Sequence, residues 1–126
     1  MTTVGPDGTF EHWGSDPVGT LLYTSDHRMS AALATRDLTK TVVTWDSSSA
    51  GLDDPLQGFV TYFGTWRVDE PNGAVIHAVQ HASWEGLLEA EQVRYYRFDG
   101  DRLILRTPPV KVDGGYQHAE VVFQRA

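Results

Sequence analysis

The stretch Gln92-Val-Arg-Tyr-Tyr-Arg-Phe-Asp-Gly-Asp-Arg-Leu-Ile-Leu-Arg-Thr107 holds two alternating runs separated by Asp99-Gly100. Asp-Gly suits the positive φ values of a two-residue hairpin turn, and each flank repeats with the period of a strand. Leu103 and Leu105 fall on one face, and Arg102, Ile104 and Arg106 on the other. The same grammar recurs outward along the chain. Asn72-Gly73 separates residues 65–69 from residues 74–82, and Asp26-His27 separates residues 19–25 from residues 28–34. Residues 10–13 and 117–124 supply strands near the two ends. Short strands closed by turn residues at such spacing predict an antiparallel all-β sandwich or barrel of about eight strands.

Two segments depart from the alternation. Leu56, Phe59, Val60 and Phe63 recur at helical spacing, with Asp53-Asp54-Pro55 before them and Gly64 after. This predicts one short helix over about residues 54–63, set against the alternative of a further strand, since the run is also β-prone. Residues 83–91 read as a loop with a helical turn, and residues 41–45 as a candidate extra strand.

The chain has 126 residues, enough for one domain, and no cysteine, which excludes disulfides, thiolate metal sites and a cysteine nucleophile. Ten basic against seventeen acidic residues give a net charge of −7, an unsuitable surface for nucleic acid or an anionic membrane. Neither a basic leader with an apolar run nor a stretch long enough to span a bilayer is visible, so a cytoplasmic location is expected. Phosphate-binding glycine loops and a nucleophile elbow are missing, so no cofactor is expected.

Three stretches together resemble the bacterial and fungal lipocalin-like domain family: Asp16 to Ser30 (DPVGTLLYTSDHRMS), Tyr62 to Glu70 (YFGTWRVDE) with Gly73 to His77 (GAVIH), and Glu91 to Tyr95 (EQVRY) with Asp99 to Pro109 (DGDRLILRTPP). The resemblance spans about residues 7–125 in order. It implies a closed or nearly closed antiparallel barrel with an internal cavity for a small apolar molecule, and no particular reaction. The sequence departs from the family pattern in three places. A first strand carrying Gly-x-Trp before the Asp7-Gly8 turn is not found, the hairpin glycine after Asp26 is His27, and the segment before Tyr62 is short and serine-rich. A missing strand leaves an open sheet edge, which predicts a homodimer or another edge-covering contact.

His77 and His81 are four residues apart, which on a strand separates them by about 13 Å on a shared face, too far for one metal ion. No metal site is predicted. Val75, His77 and Val79 share a face, as do Arg94, Tyr96 and Phe98, so inward valines carry His77 inward as well. A buried imidazole must find a hydrogen-bond partner, and Arg94, a tyrosine hydroxyl or a ligand are the candidates. His77 and Arg94 are therefore the candidate catalytic groups, with Tyr23, Met29, Tyr62, Trp66 and Tyr96, joined by Phe98, as the apolar lining. Two readings stand beside this one. The aromatic side chains fill the barrel instead of walling a cavity, or Arg94 packs on Trp66 to close one end, as lipocalin-like barrels often do.

Function divides accordingly. One reading is a carrier that sequesters a small hydrophobic or aromatic metabolite. Another is a cofactor-free enzyme of secondary metabolism, of the isomerase, cyclase, hydratase or decarboxylase type, using one acid–base group in a shaped cavity. The third is a packed dimerisation module without ligand.

Overall fold

The computed structural model describes residues 2–5, 8–11, 18–34 and 59–126. Among these residues ten strands follow one another: β1 (Thr2–Gly5), β2 (Gly8–Glu11), β3 (Val18–Tyr23), β4 (Arg28–Ala34), β5 (Phe59–Asp69), β6 (Ala74–Ala82), β7 (Gln92–Asp99), β8 (Arg102–Arg106), β9 (Val110–Val112) and β10 (Gly115–Gln124). Nine form one antiparallel ladder in the order β2-β1-β10-β8-β7-β6-β5-β4-β3, and β9 pairs with the start of β10. The all-β antiparallel architecture is the one that the alternating runs predicted. Among the described residues the ladder is not closed: it ends at β2 on one side and β3 on the other.

Cross-strand register decides which residues share the concave face. Leu21 stands opposite Ala31, Ala31 opposite Tyr62, Trp66 opposite His77, and Val75 opposite Arg94. Tyr96 stands opposite Leu105, and Leu105 opposite Val121. Residues directly opposite lie on the same face of the sheet, so this chain of pairs traces one continuous inner wall. Met29, Ala31, Val60, Tyr62 and Leu87 form its buried cluster, flanked by Leu21, Tyr23, Leu33, Trp66, Val79, Ala82 and Trp84. Leu87 comes from a 3-10 turn, Glu85–Leu88, in the loop between β6 and β7. That loop plugs one end of the curled sheet, where residues 83–91 were expected to loop with a helical turn. Its Glu91 reaches the outer face, where both carboxylate oxygens meet the Arg67 guanidinium.

Three expectations need correction. Residues 59–63, assigned to the short helix, begin β5, while residues 54–58 and the candidate strand 41–45 lie outside the described residues. The apolar residues at helical spacing are the accident here. Val60 and Tyr62 are buried while Phe59 and Phe63 stand about half exposed on the opposite face, which is the period of a strand. The first strand is present as well, since β1 pairs with both β2 and β10, and the expected open edge lies, among the described residues, at β2 and β3 instead. Finally, the hairpin of β7 and β8 turns one residue later than Asp99-Gly100. Asp99 pairs with Arg102, leaving Gly100 and Asp101 at the tip, with Gly100 at φ +57°.

The β3–β4 turn holds His27 at φ +65°, the left-handed conformation that glycine would adopt at no cost. Its ring lies against Trp66, centroids 5.0 Å apart, and its Nδ1 is 3.2 Å from the Trp66 carbonyl oxygen. The Trp66 indole in turn donates from Nε1 to the Thr24 carbonyl at 3.1 Å. The histidine therefore gains contacts that offset its strained backbone, and Trp66 is fixed against the turn.

Candidate functional site

His77 sits in β6 between Val75 and Val79, and its side chain is fully buried. The phase that points it inward survives an irregularity further along the strand. Gly64 pairs with Val79 but Phe63 pairs with His81, so Gln80 is the extra residue of a bulge. Because the bulge follows His77, it leaves that ring inside and swings His81 to the outer face beside Phe63, ring centroids 6.1 Å apart. The two histidines thus do not share a face, contrary to the spacing argument.

Both ring nitrogens of His77 are engaged. Tyr23 Oη lies 2.6 Å from Nε2, and Tyr62 Oη lies 2.8 Å from Nδ1. Tyr23 comes from β3 and Tyr62 from β5, so three strands converge on one imidazole. Burial, with the nearby positive charge of Arg94 adding to it, lowers the His77 pKa from 6.5 to about 4, and the ring is neutral at ordinary pH. Burial raises both tyrosine pKa values, with the Arg94 charge partly opposing it. Two phenols and a neutral imidazole therefore form a short uncharged chain beside one cation.

Arg94 enters from β7 and is half-buried. Its Nη1 donates to the Val93 carbonyl at 2.8 Å and its Nη2 to Gln92 Oε1 at 3.4 Å. Among the described residues, no carboxylate comes within ion-pair distance of it. Burial lowers its pKa, and the adjacent tyrosines oppose that effect. Arg94 does not stack on Trp66 among the described residues: the cation–ring contact there is Arg106 over Tyr95, and Trp66 meets Tyr23 edge-on at 5.2 Å.

Above this group opens a cavity of about 1020 Å³. Leu21 and Tyr23 of β3, Trp66 of β5, Val75 of β6, and Tyr96 and Leu105 of the β7–β8 hairpin contribute to its walls. Its rim includes Glu70, Gly100 to Arg102 and the end of β10, opposite the end plugged by Leu87. Of the predicted lining, Tyr23, Trp66 and Tyr96 border this space, and Phe98 stands at its rim, 71% exposed. Met29 and Tyr62 belong instead to the packed cluster beneath it. His77 and Arg94, although on the same face of the sheet, do not border it. What sequence reasoning missed is that Tyr62 and Tyr23 hold the imidazole from two sides, which depends on cross-strand register.

A sequence model of the lipocalin-like domain family matches residues 1–126, the whole chain. The chain belongs to that family. No curated protein and no solved structure matches this lipocalin-like domain. Among the described residues of the lipocalin-like domain, no helix is long and apolar enough to cross a membrane.

Proposed function

We propose that this lipocalin-like domain binds a small, predominantly apolar or aromatic molecule between its curled sheet walls. The carrying observation is the cavity of about 1020 Å³ with aromatic and aliphatic walls, at the upper end of the range of about 300–1,000 Å³ that small-molecule sites occupy. Apolar walls supply affinity through water release, and a few polar groups fix orientation. The test is titration with 1-aminoanthracene, whose emission rises in apolar surroundings. The parent chain is expected to bind one equivalent. Leu103→Trp, which pushes an indole into the space, should weaken binding roughly tenfold or more. Equal binding by both chains sinks the reading.

A second reading, a cofactor-free isomerase, cyclase or lyase of secondary metabolism, is favoured by one observation, the Tyr23–His77–Tyr62 chain. A neutral imidazole joined to phenols relays protons without a charged intermediate at rest. Any molecule that co-purifies, identified by native mass spectrometry and returned to fresh protein, separates the two readings. A carrier releases it unchanged, whereas an enzyme converts it.

Self-association belongs to this proposal through the β3 edge, whose outward backbone groups have no strand partner among the described residues. Sedimentation is expected to show a homodimer, and a monomer removes this part.

A further inference from the structure

The hydrogens of the Tyr23–His77–Tyr62 chain can be assigned by counting. Two hydrogen bonds join three groups, and a neutral imidazole carries one N–H and one bare nitrogen. One tyrosine must therefore donate to the ring, while the other accepts from it and keeps its own hydroxyl hydrogen for another acceptor.

The two tyrosines are not equivalent. Tyr62 is buried in the packed cluster, and among the described residues its hydroxyl has no polar contact besides Nδ1. The charged group nearest in influence is Arg94, which offers donors and no acceptor. Were Nδ1 to carry the hydrogen, the Tyr62 hydroxyl would be a buried donor with no acceptor among the described residues, an arrangement that native interiors avoid. Tyr62 is therefore the donor, to a bare Nδ1, and Nε2–H donates to the Tyr23 oxygen. Tyr23 is the one of the pair that borders the cavity, where water or a ligand can accept its spare hydrogen.

We infer that the Tyr23 hydroxyl is a hydrogen-bond donor facing the cavity, oriented by His77 and Tyr62, and that the ligand is an apolar molecule bearing an oxygen acceptor such as a carbonyl. This rests on the binding reading above and adds the polar end of the ligand. His77 and Tyr62 are positioning residues here, since neither borders the cavity.

Two measurements test it. In histidine ¹⁵N-labelled full-length protein, long-range ¹H–¹⁵N correlations should identify His77 as the Nε2–H tautomer; an Nδ1–H ring overturns the inference. Separately, 2-acetonaphthone and 2-ethylnaphthalene, nearly equal in shape and differing by one carbonyl oxygen, are titrated while the tryptophan emission of the chain is followed. The ketone should bind roughly tenfold more tightly. In Tyr23→Phe that advantage should vanish while the hydrocarbon's affinity holds. Equal binding of the two probes by the parent chain, or an advantage that persists in Tyr23→Phe, overturns the inference. Should neither probe bind, the binding reading itself falls, and the tautomer spectrum still decides the assignment.

Discussion

Gly64→Ala is expected to cost about 3 kcal/mol of stability, the upper end for overpacking in a well-filled interior. Gly64 is buried in β5 opposite the bulge of β6, and a Cβ placed there would collide with the Ala78 carbonyl oxygen and press on the Val79 backbone. The obstacle is main chain, so no side-chain rotation relieves it. The bulge draws the two strands together at this point, which only a residue without a side chain tolerates. Thermal denaturation followed by circular dichroism should show a midpoint lowered by roughly 10 °C, while Thr65→Ala next to it, on the exposed face, changes little. A Gly64→Ala midpoint equal to the parent's would mean that the strands do not approach this closely in solution.

Acid should weaken the fold through His77. The folded chain keeps this imidazole neutral down to about 4, whereas the unfolded chain protonates it near the ordinary value of 6.5. Between those pH values the unfolded state binds a proton that the folded state refuses, so stability is fully present above about 6.5 and falls as the pH drops towards about 4. The slope is at most about 1.4 kcal/mol per pH unit, for a total of roughly 3 kcal/mol across the window. Urea denaturation at a series of pH values measures it. His77→Gln, which can still bridge two hydroxyls without titrating, should show a flatter dependence over the same window. Parallel curves for the two chains would place the acid sensitivity elsewhere.

The sheet was legible because its runs are short, apolar-rich and closed by turn residues: Leu103 and Leu105, Val75 and His77, Arg94 and Tyr96 alternate with residues of the other face, of which Ala74, Ile76 and Ile104 are buried as well. Inward placement of His77 follows from its valine neighbours alone. Other features depend on contacts that local pattern does not encode. The bulge at Gln80 has no mark in the sequence, so His81 was placed on the wrong face. Thr2–Gly5 offers no alternating apolar residues and owes its strand form to β10 and β2. The apolar residues of 59–63 satisfy both periods, and burial on one face of the sheet chose between them. Tyr62 was read as cavity wall, but its place beside Nδ1 of His77 depends on how β5 is registered against β6, which neither strand contains by itself.

The pairing of Thr2 with Glu120 ties the first strand to the last. A chain emerging from the ribosome carries β1 until β10 is made with, among the described residues, no strand partner except β2, and a two-stranded ribbon is marginal on its own. Contacts that span nearly the whole chain also form slowly, since a very long loop must close before they contribute. Until β10 arrives, β1 and β8 both present bare edges to any neighbouring chain. Arrival of β10, rather than growth of the early hairpins, is thus the moment at which the ladder becomes continuous, and nascent chains stalled short of Gly115 are the species most exposed to aggregation and to proteases.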